Sequence, residues 1–272
     1  MQEQDEYVPL SKLFDLSGKG AVVTGGALGV GFGIARRLAE AGAGVLIADV
    51  NAEAAEQAAE KLASKGFKAA WARCDVRKSP DVETAMQTAV STLGNVSILV
   101  NNAGIYPFKQ IFDMTEADWD EVIGINLKGA YLCAQEGSRH MVRQGRGGCI
   151  INIGSTSSVQ PSFFPGLVHY AAAKGGLLLL TKSLAKELAP YGIRANIIAA
   201  GGIDPQLTHQ GRTGLSIGEG PIKAGKEFLQ RVPLGRMGRP DDIGTVALFL
   251  ASEASSYMTG SLIVVDGGYL VS

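Results

Sequence analysis

Thr24-Gly25-Gly26-Ala27-Leu28-Gly29-Val30-Gly31 joins the apolar run 20–24 to a helical pattern over 31–42, and this glycine-rich turn constrains the fold more than any other segment. Gly25, Gly29 and Gly31 lack a Cβ, so the backbone can turn sharply and bring its N–H groups close to an oxyanion. The helix that follows aims the positive end of its dipole at the same point. Asp49 closes the next apolar run, 18 residues after Gly31. Strand, glycine turn, helix and a distant acid are the parts of a dinucleotide site, in which the turn takes the pyrophosphate and the carboxylate a ribose hydroxyl. Thr24, Gly25, Gly29, Val30, Gly31, Asp49 and Val50 are therefore candidate cofactor residues.

The rest of the chain repeats the alternation of short apolar runs and amphipathic stretches. Strands are predicted at 20–24, 44–49, 69–74, 97–101, 148–153, 194–199 and 261–265. Helices are predicted at 31–42, 51–65, 80–93, 115–144 with a break near Gly124, 170–190 and 239–251. Unbroken apolar strands alternating with helices imply right-handed crossovers and an α/β fold. We expect a doubly wound, mostly parallel seven-stranded sheet of Rossmann type with helices on both faces. No linker composition divides it, so residues 16–272 read as one domain behind an extension over 1–15. The stretch 200–230 follows neither periodicity and lies beyond a strand's carboxyl end; about 204–230 reads as a substrate lid.

Several functions are disfavoured by composition. Lys+Arg 25 against Asp+Glu 26 gives net charge −1, with no basic stripe for nucleic acid. No uncharged apolar stretch reaches the ~18 residues that span a bilayer, and Met1–Tyr7 do not form a signal sequence, so a cytoplasmic protein is expected. Cys74, Cys133 and Cys149 are odd in number and far apart, and His140, His169 and His209 have no partners at ligand spacing; no metal is expected.

The reaction is suggested by Tyr170 and Lys174, four residues apart on one helix face. That spacing has little weight alone, since seven Tyr and 25 Lys+Arg give about 0.6 such pairs by chance. Its surroundings add weight. Ser155 follows the run Cys149–Gly154 and precedes Tyr170 by 15 residues; Asn126 lies in Gly124–Gly129; Asn101-Asn102-Ala103-Gly104 closes the fourth strand; Arg73-Cys74-Asp75-Val76 closes the third. With Gly238–Ile243 and Val264–Gly268, this set resembles the short-chain dehydrogenase/reductase family from about Leu16 to the C-terminus.

The resemblance implies an oxidoreductase that interconverts an alcohol and a carbonyl through a nicotinamide cofactor. Tyr170 would be the acid/base and Lys174 would hold the nicotinamide ribose. Ser155 would position the reacting oxygen, with Ser157 as a rival, and Asn126 would hold a relay water. Cys74, Asp75, Val76, Asn102, Ala103, Gly104, Gly201 and Ile203 would complete the cofactor site. A phenol of pKa near 10 is a poor base at pH 7. An ammonium ~4 Å away at effective dielectric ~20 favours the phenolate by up to about 4 kcal/mol, roughly 3 pKa units. The family's proline and threonine after the sixth strand are replaced by Ala200 and Pro205, so the carboxamide contact falls to the Ile203 backbone or to Thr208. Gly33 stands where the family more often has Ala, at some cost to helix stability and with room for closer packing.

Asp49 would repel a 2′-phosphate, and neither Leu28 nor Val50 supplies an offsetting cation, so NAD is expected over NADP. Tyr106, Phe163, Phe164, His169 and Leu207 would bound the substrate, expected to be an apolar or cyclic secondary alcohol and its ketone. A polyol or sugar dehydrogenase and a 3-oxoacyl-thioester reductase are the alternatives; a non-catalytic NAD sensor fits the intact set poorly. Gly175, Gly176 and Leu177–Leu180 make a helix face too apolar for a lone subunit, and the resemblance implies a homotetramer.

Overall fold

Short runs rich in Val, Ile, Leu and Ala cannot satisfy their backbone groups alone, and in this chain seven of them pair side by side. The computed structural model describes residues 7–204 and 227–272. The strands are β1 (Gly20–Thr24), β2 (Gly44–Asp49), β3 (Ala69–Arg73), β4 (Ile98–Asn101), β5 (Gly148–Ser155), β6 (Ile193–Ala200) and β7 (Leu262–Val265). They form one parallel sheet in the order β3-β2-β1-β4-β5-β6-β7. The chain leaves β1 toward one edge, returns and continues from β4 toward the other. That reversal opens a crevice at the carboxyl ends of β1 and β4.

Alternate residues of each strand feed two separate cores. Ala21 and Val23 of β1 and Val45 and Ile47 of β2 pack with Ile34 and Leu38 of α2 (Gly29–Glu40), Leu62 of α3 (Ala52–Ala63) and the last long helix. Val22 and Leu46 point the other way, toward Met86 of α4 (Ser79–Leu93), Met141 of α6 (Gly129–Gln144) and Leu188 of α7 (Val168–Leu188). α5 (Glu116–Ile123) starts at a Thr115/Asp118 capping box. The short α1 (Leu10–Leu13) lies within the N-terminal extension, where the sequence suggested no helix.

The predicted helix 115–144 is α5 and α6 joined by a π-helical turn, Gly124–Lys128. A wider turn of this kind re-aims side chains without ending the rod. β5 and β6 each run past the predicted ends, because Gly154, Ser155 and Ala200 lack a strand-like composition yet pair in register. α7 starts at Val168, two residues early; its N-cap, Leu167, makes no side-chain cap and so gave no sequence signal. Of the proposed lid, residues 205–226 lie outside the described residues, and Leu207 and Thr208 with them.

α2 and α8 (Pro240–Ala251) cross at two glycines. A Cβ on Gly33 would lie 2.9 Å from Pro240 Cβ, and one on Gly244 would lie 2.9 Å from Gly33 O. Beside the crossing, Arg37 Nε donates to Asp241 Oδ1 at 2.6 Å and Arg36 donates to the same oxygen at 3.1 Å. Overpacking costs about 1–3 kcal/mol, whereas an Ala in place of Gly in a helix returns up to about 1 kcal/mol. Gly33→Ala is therefore expected to lower the urea midpoint with an unchanged m value; a raised midpoint would show that the helices do not meet there.

Candidate active site

The glycine turn is held from the neighbouring strand. Asn102, just past β4, donates from Nδ2 to the carbonyls of Thr24 (3.0 Å) and Gly25 (2.9 Å). The amides of Asn102 and Ala103 both donate to Thr24 Oγ1 at 3.1 Å. Gly25 has φ +59°, and a Cβ there would lie 2.9 Å from Ala103 Cα. A Cβ on Gly31 would collide with the Gly25 carbonyl and with Asn102 Nδ2. Neither glycine can be replaced without moving the clamp. α2 then begins with Leu28 at its N-cap and no side-chain acceptor for its first turn. N–H groups without a side-chain cap at the start of a 12-residue helix suit a pyrophosphate.

Asp49 ends β2 with 6% of its surface exposed. Its carboxylate accepts from the Ala27 amide in the turn (3.4 Å) and from Asn51 N (3.1 Å), which aims it into the same crevice. Val50 beside it is exposed. At the end of β3, Cys74 and Val76 are buried; burial pushes the Cys74 thiol up to about 12. Asp75 is held in a fork by Arg77 (2.9 and 2.7 Å), which keeps its carboxyl below the usual range. Gly104 abuts Asn126, since a Cβ there would lie 2.6 Å from Asn126 Oδ1. Gly201 continues β6 by donating to Val265 O, and Ile203 bridges to Gly238. These groups fit a dinucleotide: a crowded glycine cradle, an uncapped helix start and a buried carboxylate at one end of the sheet.

Ser155 is the last residue of β5, and Tyr170 lies in the first turn of α7. Ser155 is hydrogen-bonded to the Tyr170 phenol and accepts from Ser157 N at 3.1 Å, so Ser155 rather than Ser157 faces the phenol. One turn along, Lys174 is buried, with Nζ donating to Ile153 O at 2.7 Å and lying 5.6 Å from the Tyr170 ring centroid. Burial raises the phenol to about 12, opposed by the Ser155 hydrogen bond and assisted by Tyr106. Burial lowers Lys174 to about 8. The sequence argument, in which the lysine charge pulls the phenol down, is corrected here. The ammonium lies against the ring and is tied to a backbone carbonyl, and loss of solvent outweighs its attraction for a phenolate.

Asn126, in the π-helical turn, donates to Ile105 O (2.9 Å) and Val122 O (3.0 Å). Its buried Oδ1 has no hydrogen-bond partner among the described residues. His169 is fully buried, its Nδ1 accepting from Tyr170 N at 2.9 Å and its pKa lowered by burial. The reading of His169 as a substrate wall is therefore corrected: it supports the start of α7 as a neutral ring with no exposed edge. Tyr106 packs edge-on to Tyr170 at 5.9 Å, and Phe108, Phe164 and Phe163 form a second aromatic series with steps of 6.1 and 5.0 Å. Sequence reasoning missed Phe228 and Tyr269, which extend this aromatic group. It also missed the buried chain Asn101–Asn152–Thr181 that ties β4, β5 and α7 together (2.8 Å each step). Asn152, a polar residue inside an apolar strand, was the available signal.

A family model described as enoyl-(acyl carrier protein) reductase matches residues 25–270. A short-chain type dehydrogenase/reductase from Mycobacterium marinum superimposes with TM-score 0.87 and 39% identity, over 94% of this chain and 97% of that one. This chain belongs to the short-chain dehydrogenase/reductase family. It is 42% identical to a 3-oxoacyl-(acyl-carrier-protein) reductase, FabG, of Chlamydia muridarum, over 93% of this chain and 98% of the relative. A gluconate 5-dehydrogenase of Burkholderia cenocepacia, solved with NADP and tartrate, matches with TM-score 0.86 and 36% identity over 96% of this chain and 98% of its own. The chain is thus an oxidoreductase of a family that binds NAD(P). Among the described residues no helix is long and apolar enough to cross a membrane, and no group of three or more His, Cys, Asp or Glu could hold a metal.

Lys174 gives the site a pH signature. Its folded pKa, about 8, lies below the ordinary 10.5, so between these values the unfolded chain holds more protons and stability rises with pH. The full effect is on the order of 3 kcal/mol. Denaturant unfolding at pH 8 and pH 10 should show this rise in the wild type and its loss in Lys174→Met; an equal rise in both would contradict the buried ammonium.

Proposed function

We propose that this chain is an NAD-dependent dehydrogenase/reductase that interconverts a secondary alcohol and its ketone on an apolar or cyclic substrate. The observation that carries this reading is the convergence of Ser155, Tyr170 and Lys174 at the carboxyl end of β5, beside the glycine cradle. When bound, an oxidised nicotinamide would supply the hydride acceptor and a positive charge. Tyr170 removes the hydroxyl proton in oxidation and returns it in reduction. Ser155 would hold the reacting oxygen, and Lys174 would hold the ribose. Asn126 and its unpartnered Oδ1 support a relay water between Lys174 and solvent.

Support for NAD comes from Asp49. Its buried carboxylate suits a ribose hydroxyl and opposes a 2′-phosphate. Arg73, its register partner on β3, is paired with Asp81 at 3.2 Å. Tyr106, Phe163 and Phe164 support an apolar substrate. A second reading, reduction of a 3-oxoacyl thioester, is favoured by the identity to the Chlamydia reductase, and Asp49 weighs against it only through the cofactor. Assembly as a homotetramer in the cytoplasm completes the reading, supported by exposed Leu179 on α7, Tyr131 on α6 and Val264 on β7.

Two measurements test this. NADH formation across cyclic alcohols, hydroxysteroids, polyols and 3-hydroxyacyl thioesters should favour the cyclic alcohols, and Tyr170→Phe should lose roughly 10²–10⁴-fold in kcat while still binding NADH. A variant that keeps turnover would refute the acid/base role. The ratio of kcat/KM for NAD over NADP should exceed one and fall at least about tenfold in Asp49→Ala, as expected if about 1.4 kcal/mol of repulsion is removed. A wild-type preference for NADP would overturn the cofactor assignment.

A further inference from the structure

Residues 159–167, between β5 and α7, carry Phe163 and Phe164 and are tethered by a backbone bond and by aromatic packing, beside Arg231, which lies 5.2 Å from the Phe163 ring centroid. One tether is backbone: Lys109 N donates to Gly166 O at 2.9 Å, and Gly166 has φ +86°. The other is aromatic. Phe163 and Phe164 lie 5.8 and 6.1 Å from Phe228, and Phe228 lies 5.0 Å from Tyr269, within the last four residues of the chain. Phe228 and Tyr269 are each only 7% exposed, in a small core separate from the two that flank the sheet.

The C-terminal turn that carries Tyr269 is itself fixed. Asp266 accepts from Gly268 N and Leu270 N, both at 2.8 Å. Ser272 Oγ donates to Arg231 O at 2.7 Å, and Leu234 N donates to Gly267 O at 3.1 Å, which ties the chain end to the segment that bears Phe228. A Cβ on Gly268, at φ +91°, would lie 2.9 Å from Pro233 Cγ. Rings that interlock edge to face or stacked transmit position, because packed side chains resist small displacements.

We propose that Tyr269 is a positioning residue for substrate: through Phe228 it holds Phe163 and Phe164 against Phe108, so that the chain's C-terminal turn sets the width of the mouth and selects the size of the alcohol. This rests on the reading of Phe163 and Phe164 as substrate walls. The contact needs the ring and not the hydroxyl, so Phe replaces Tyr at 269 without loss.

Hydrogen exchange tests the brace without any substrate. In Tyr269→Ala, the amides of Gln160, Ser162, Phe163 and Phe164 should exchange at least tenfold faster while those of α7 beyond Lys174 stay as in the wild type, and Tyr269→Phe should match the wild type. Unchanged exchange at these four amides in Tyr269→Ala, or a Tyr269→Phe variant that behaves like Tyr269→Ala, would overturn the proposal. Kinetics test the consequence: with cyclododecanol and 2-propanol as probes, Tyr269→Ala should change KM for the large ring at least fivefold, leave KM for 2-propanol within twofold and leave kcat unchanged for both. Faster exchange with both KM values unchanged would overturn the selection role. A wild type that oxidises neither alcohol would count against the proposed substrate class, while the exchange result would still decide the brace.

Discussion

An ammonium buried in a protein interior must be met by an acceptor, and in this structure the acceptor is a strand carbonyl. Lys174 Nζ reaches Ile153 O at 2.7 Å from the first third of α7. That bond fixes the rotation of α7 over β5, and with it the direction in which Tyr170 points. The helix cannot turn about its axis without stranding the charge, at a cost of several kcal/mol. His169 reinforces the arrangement by accepting the Tyr170 amide, and the Asn152–Thr181 bond holds the same helix to the same strand two turns beyond Lys174. The placing of Tyr170 and Lys174 is thus set by how one helix lies on one strand.

The glycine turn is held by a different means. There the constraint is steric: Gly25 and Gly31 let β1 and α2 close on Asn102 and Ala103, and the Asn102 amide spans two carbonyls of the turn. Asn102 therefore shapes the cradle rather than lining it passively. Both halves meet because β1, β4 and β5 are adjacent in the sheet. Parallel pairing puts all their carboxyl ends on one edge.

Much of this was legible in the sequence. All seven strands and the long helices were readable, because buried parallel strands are unbroken apolar runs and the helices keep a 3.6-residue period. The positions of the glycine turn, Asp49 and Ser155 at strand ends, and of Tyr170 and Lys174 on the helix after β5, were readable from residue types and short spacings. Other features depend on neighbours distant in the chain. The direction of the Tyr170 shift could not be read, since it turns on where the Lys174 ammonium points and on how much solvent the fold removes. His169 looked like a wall residue because adjacency to Tyr170 says nothing of which side of α7 is buried. Phe228 and Tyr269 carry no local pattern; they are 41 residues apart and gain meaning only by meeting Phe163 and Phe164. The π-helical turn at Gly124–Lys128 likewise has no period of its own to detect.

In the proposed mechanism the chain's own groups hold the Tyr170 phenol at about 12, and bound oxidised cofactor would supply the charge that brings it into a working range. Ultraviolet difference titration of the phenolate band, wild type minus Tyr170→Phe, measures this directly with and without saturating NAD+. A midpoint that falls by roughly 2 units or more on binding, the size expected for a unit charge at short range in a protein interior, is the predicted result. A midpoint near 10 in the free protein, or one that NAD+ leaves where it was, would contradict it.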